Sequence, residues 1–175
     1  MEAALVGEVL KSAGCILFGK FKLTSGRESS YYIDLGTLPS HPVEFDLIAS
    51  LAAWKIKKIG LADYIAGIPV RGVPLASLVA YKLKVPFLQV RKERKMHGTM
   101  KAIEGEFKPG GHVVVMDDVA TTGGSLAEAV RRVREERLVV DYCFVVVDRE
   151  EGAQEKLSEL GVKLYSLCRV SDIIR

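Results

Sequence analysis

Apolar positions change their spacing part-way along the chain. Up to about residue 60 they recur mostly at helical intervals. Leu5, Val6, Val9 and Leu10 share one face of residues 2–13, and Gly14 stops that helix. Residues 16–23 and 31–35 read as two short strands joined by a turn at 24–27. Beyond Pro42 a long helix is predicted, with Phe45, Ile48, Ala49, Leu51, Ala52 and Ile56 on its inner face. From Tyr64 the rhythm differs. Short, nearly continuous apolar runs at 64–68, 85–90, 113–116, 142–147 and 162–167 suit strands buried on both faces, and helical stretches at 74–83, 125–137 and 152–160 lie between them. Strands alternating with helices predict a doubly wound, mainly parallel, five-stranded α/β sheet with helices on both faces. Ligands in such sheets bind where loops leave the carboxyl ends of strands.

One stretch breaks that rhythm. Residues 91–105 are polar, contain two glycines and show no apolar period. A loop this long inside a compact domain is usually functional or disordered.

Length and composition narrow the classes. A chain of 175 residues suits one domain, and 49% hydrophobic with 27% charged residues is ordinary globular usage. A net charge of +3 is too small to make nucleic acid a general partner. No run approaches the roughly 20 apolar residues of a membrane span, and the first residues carry no basic, apolar leader pattern, so a cytoplasmic location is expected. Cys15, Cys143 and Cys168 are scattered through apolar contexts and read as buried thiols rather than a metal cluster or a nucleophile. Asparagine is absent and glutamine occurs only at 89 and 154, a pattern of proteins from hot environments.

The strongest chemical signal is the run Val113-Val114-Val115-Met116-Asp117-Asp118-Val119-Ala120-Thr121-Thr122-Gly123-Gly124-Ser125. An apolar strand ends in two carboxylates. A turn of small residues follows, then a helix with Leu126, Ala129, Val130 and Val133 facing inward. The unpaired amides at that helix start suit a phosphate, and the glycines let it come close. Two acids beside an anion site are unfavourable unless the ligand also carries a diol, whose hydroxyls the carboxylates can accept. The residues thus point to a phosphorylated ribose; the plain alternative is a helix cap preceded by two exposed acids. The pattern is neither a P-loop nor a dinucleotide fingerprint.

This stretch resembles the phosphate-binding loop of the type I phosphoribosyltransferases, whose fold has a small N-terminal hood over the core sheet. The resemblance implies phosphoribosyl pyrophosphate (PRPP) as ligand of Asp117 to Ser125, with Asp117 and Asp118 on the ribose. Arg91-Lys92-Glu93-Arg94-Lys95-Met96-His97-Gly98 resembles the lid loop of the orotate phosphoribosyltransferases in particular. On that resemblance Arg91 meets PRPP within its own chain, Lys92 and Lys95 meet it across a homodimer interface, and His97 adds a pyrophosphate contact. Lys95 is then the cation that stabilises the leaving group. Read without the resemblance, the run suits a closing cationic loop over a leaving group, a solvated charge run or a nucleic-acid patch, and the residues alone do not choose among them.

Two further segments match that family. Gly67-Ile68-Pro69-Val70-Arg71-Gly72-Val73-Pro74 falls at its pyrophosphate turn, implicating Arg71 and Gly72. Asp148-Arg149-Glu150-Glu151 matches the segment whose Arg grips the orotate carboxylate, with Tyr32 and Thr121 also at the base. Without the resemblance Arg149 is a surface residue paired with Glu150 or Glu151. The bacterial pattern of that family has Lys at the positions of Thr24 and Arg71, and the family often has an aromatic where Ile33 stands. The implied reaction joins orotate to PRPP with Mg²⁺ bridging substrate oxygens and no direct side-chain metal ligand. The implied layout is a hood over residues 1–40, a core over 60–170 and a lid over 91–105. Association with a separate orotidine 5′-monophosphate decarboxylase is left open. A purine-type phosphoribosyltransferase, or a PRPP-binding regulator without catalysis, are the competing readings.

Overall fold

A computed structural model describes residues 2–22, 28–60, 62–91 and 102–174. Helix α1 (Glu2–Ser12) leads into an antiparallel hairpin, β1 (Ile16–Lys22) and β2 (Glu28–Ile33). A 3₁₀ turn, Leu35–Ser40, then delivers the chain to α2 (Pro42–Ile59), with proline in the first turn, where its missing N–H leaves no bond broken. The second strand starts earlier than its apolar run and stops before Leu35, because Asp34 turns the chain by accepting the amide of Gly36 at 2.9 Å.

The core alternates as expected: β3 (Tyr64–Gly67), α3 (Gly72–Leu83), β4 (Phe87–Val90), β5 (Ile103–Glu104), β6 (Val113–Ala120), α4 (Gly124–Glu135), β7 (Tyr142–Asp148), α5 (Ala153–Ser158), β8 (Lys163–Arg169) and α6 (Val170–Ile173). The sheet order is β5-β4-β3-β6-β7-β8. The five expected strands are parallel to one another, and the sixth, the two-residue β5, runs antiparallel along β4. It lies in the polar stretch, too short to leave a period in the sequence. The short α6 was likewise not anticipated.

Burial on two faces explains the layering. One apolar cluster joins Ile48, Ala52 and Ile56 of α2 and Leu75 and Val79 of α3 to Val114, Met116 and Phe144 of the sheet. The other joins Leu126, Val130 and Val133 of α4 to Val113, Val115 and Val145. Each of those three α4 side chains contributes about 1.5–3 kcal/mol by burial.

The direction of winding across the sheet reverses between the parallel neighbours β3 and β6. From β3 the chain winds outward through α3 to β4; from β6 it winds the other way through α4 and α5 to β8. This switch point opens a crevice at the carboxyl ends of those two neighbouring strands.

Candidate active site

Strand β6 runs further than its apolar run suggests. Asp117, Asp118, Val119 and Ala120 are strand residues rather than loop: Asp117 pairs with Val145, Val119 with Val147, and Ala120 with Asp148. The backbone ladder with β7 thus fixes both carboxylates. Asp118 is buried, and its Oδ2 has no hydrogen-bond partner. Burial raises Asp117 to about 8, with the Asp118 charge adding to the rise and Arg71 opposing it. Asp118 is pushed up as well, chiefly by burial. Removing two neighbouring carboxylates from water without a dedicated cation disfavours their charged forms. Hydroxyl donors from a ligand would restore them.

The turn itself begins at Thr121. Gly123 adopts φ 77°, and a Cβ there would lie 2.9 Å from the Ala153 backbone, so only glycine fits. This residue caps α4 without a side-chain hydrogen bond, leaving the first amides of the helix for a ligand. Asp117 and residues 119–126 line a cleft of about 140 Å³.

Gly72 opens α3 two residues before Pro74, at the end of the turn after β3. A Cβ on Gly72 would sit 2.9 Å from Asp117 Oδ1, so this glycine lets the β3 turn close onto the carboxylate. The Pro69–Val70 peptide is cis. Arg71 pairs with Asp34 at 3.0 Å. Half-exposed pairs of this kind contribute little stability; this one ties the end of the hairpin segment to the turn.

Arg149 follows β7 directly, and its amide donates to Ala120 O at 2.9 Å. Its side chain is only 14% exposed, pairs with Glu151 at 2.7 Å and leaves Nε without a partner. The pairing with Glu151 read from the sequence therefore exists, but in a mostly buried position beside the cleft. The Tyr31 ring lies 5.9 Å from the Arg149 guanidinium carbon. Tyr32, the tyrosine expected at the base, is on the outer side of the hairpin, its ring 5.6 Å from Phe21.

The structure therefore gathers Asp117, Asp118, Val119, Ala120, Thr121, Thr122, Gly123, Gly124, Ser125, Gly72, Arg71 and Arg149 around the switch point. Arg91 leaves β4 at the same end of the sheet, with its guanidinium paired to Glu104. Thr24, Lys92, Lys95 and His97 lie outside the described residues. Neither Tyr31 nor Asp34 is among the site residues read from the sequence. Strand parity could have found the first: Ile33 is buried, so Tyr31, two residues before it, shares its face.

The chain matches the phosphoribosyl transferase domain model over residues 34–163. It is 45% identical to the orotate phosphoribosyltransferase of Pyrococcus abyssi over 99% of this chain and 95% of that one. The Sulfolobus acidocaldarius orotate phosphoribosyltransferase is 46% identical over 91% of this chain and 80% of its own. The chain belongs to the orotate phosphoribosyltransferase family. Among solved structures, the orotate phosphoribosyltransferase of Aeropyrum pernix matches with a TM-score of 0.82 and 34% identity, covering 97% of this chain and 96% of that chain. Leishmania donovani UMP synthase matches with a TM-score of 0.87 and 33% identity over 99% of this chain, which spans 38% of that longer one.

Proposed function

We propose that this protein joins orotate to PRPP, giving orotidine 5′-monophosphate and pyrophosphate, in de novo pyrimidine synthesis. The observation that carries the reading is continuity. One strand delivers the carboxylate pair, its end begins the uncapped helix turn, and the same end holds the Arg149 backbone. Phosphate, ribose and base subsites thus share one rigid ladder, as a reaction that depends on positioning requires.

In this reading the first amides of α4 and the hydroxyls of Thr122 and Ser125 take the 5′-phosphate. Asp117 and Asp118 accept the ribose hydroxyls. The amide of Gly72 and the charge of Arg71 face pyrophosphate. Arg149 exchanges Glu151 for the orotate carboxylate, Thr121 donates to the base, and Tyr31 covers it from the hairpin. The bond from the anomeric carbon to pyrophosphate breaks as the bond to the orotate ring nitrogen forms, through an oxocarbenium-like state; pyrophosphate leaves with the bonding pair and takes up the proton that the ring nitrogen releases. Cationic charge from Lys95 stabilises that departure.

Hard oxygen donors favour Mg²⁺, and the desolvated carboxylate pair with its unpartnered Asp118 Oδ2 fits a cation carried on substrate oxygens. When bound, Mg²⁺ supplies charge neutralisation on the pyrophosphate. A second copy of the chain completes the site with Lys92 and Lys95, and exposed Val43 and Trp54 on one side of α2, with Tyr81 of α3, support such a partner. A separate orotidine 5′-monophosphate decarboxylase, which would consume the product, is the candidate further partner. Among the described residues no helix is long and apolar enough to cross a membrane, and the three cysteines are free and buried; cytoplasmic residence accords with this.

Loss of orotate absorbance on mixing orotate, PRPP, Mg²⁺ and protein is the expected result. Consumption of adenine or guanine in place of orotate would overturn the assignment.

A further inference from the structure

The ladder between β4 and β5 is unfinished at its last rung. Gln89 faces Glu104 and Val90 faces Ile103, so Arg91 faces Ala102. A hydrogen-bonded antiparallel pair of this kind exchanges two backbone bonds. One is present: Arg91 N donates to Ala102 O at 2.9 Å. The groups of the other, Arg91 C=O and Ala102 N–H, are both taken by α4. Arg132 Nη1 donates to Arg91 O, and Glu136 Oε1 accepts from Ala102 N at 3.2 Å. Arg132 is held in turn by Glu128, whose Oε1 accepts from its Nε at 2.9 Å. Glu128, Arg132 and Glu136 stand one helical step apart, at i, i+4 and i+8, on the side of α4 that meets this rung. Ala102 is buried, so its amide would lack any water substitute for the carboxylate.

The helix that grips this rung is the one whose first turn forms the phosphate site. We infer that Arg132 and Glu136 are positioning residues: they set where the chain leaves and re-enters the sheet on either side of residues 92–101, in register with the turn at Thr121–Ser125. Both lie in the second half of α4 or at its end, outside the cleft lining. The inference rests on the reading that Lys92 and Lys95 act on PRPP. Their cationic charge is useful in the transition state only where the stem delivers it, so loosening the stem lowers turnover more than it weakens orotate binding.

Glu136→Ala and Glu136→Gln, made in the full chain, test this. The alanine variant is expected to lose about tenfold in kcat, the scale of one charge-assisted hydrogen bond, with KM for orotate within about twofold. Glutamine keeps an acceptor at the same reach and is expected to restore most of the turnover. Amide exchange at Ala102 should rise about tenfold in Glu136→Ala and stay near the wild-type rate in Glu136→Gln. Unchanged kcat in the alanine variant, or glutamine performing no better than alanine, overturns the inference. Should Glu136→Ala fail to fold, Arg132→Lys takes its place. A lysine cannot serve Glu128 and the Arg91 carbonyl together in the guanidinium geometry, so the same split between kcat and KM is expected, and its absence overturns the inference. If wild-type protein does not convert orotate, the reaction assignment falls, and the amide exchange still decides whether the clamp exists.

Discussion

At Asp117, burial sets the protonation state before any ligand arrives. The carboxyl is raised to about 8 in the folded chain, while in the unfolded chain it ionises near the ordinary value of about 4. Between those limits the folded state holds more protons than the unfolded state, so stability falls as pH rises across the window. Asp117→Asn removes the ionisation. The variant is expected to melt higher than wild type at pH 8 by about 3 °C or more, the shift that each kcal/mol produces in a chain of this size, with the gap closing towards pH 4. Its kcat/KM for PRPP should fall at least about 100-fold, because the ribose loses a charged acceptor. Thermal denaturation at the two pH values, paired with steady-state kinetics, checks both halves. A residue that destabilises the fold at working pH yet is needed for turnover is the signature of a site. The identity of these acids was legible in the sequence, whereas their burial was not, since acids at a strand end are ordinarily solvated. Tyr31 and Tyr32 make the same point: both are visible in the chain, but which one faces Arg149 depends on strand register.

At the scale of elements, the start of α4 and the outer edge of the sheet carry the next expectations. Gly123→Ala combines a left-handed conformation with a Cβ 2.9 Å from the Ala153 backbone, whereas at Gly124 the nearest atom is 3.9 Å away. The first substitution should destabilise by about 2 kcal/mol or more, and the second should leave the unfolding free energy nearly unchanged. Denaturant titration of the pair separates backbone strain from the simple loss of a glycine. At the other end of the sheet, β8 is an edge strand, and two side chains occupy its free backbone groups. Gln154 Oε1 accepts from Leu164 N at 2.8 Å, and Lys55 Nζ donates to Ser166 O at 2.8 Å. Removing both, as Lys55→Ala with Gln154→Ala, leaves an open template for strand addition. Light scattering on heating should then begin at a lower temperature than in wild type.

For the whole molecule, the expected layout makes each active site depend on two chains. Mixing Lys92→Ala protein with Asp117→Asn protein should recover up to about a quarter of wild-type activity, because random pairing gives half the dimers one intact site in two if lid lysines act across the interface. No recovery after subunit exchange would mean that each chain serves its own site. The alternation of buried runs with amphipathic helices was enough to determine a parallel α/β sheet, since two-sided burial writes itself into composition at every strand. The motif from Val113 to Ser125 was enough to point to a phosphorylated ribose, because strand, acids, small turn and helix start are contiguous in the chain. Tertiary structure alone decided the rest. It set the strand order and hence the crevice between β3 and β6. Across that crevice it placed Gly72 against Asp117, and it bound Arg149 to the end of β6. It also gave the unfinished rung at Arg91 and Ala102 to α4. Those contacts join residues distant in sequence, whose proximity follows from chain winding and sheet register, and no local pattern records either.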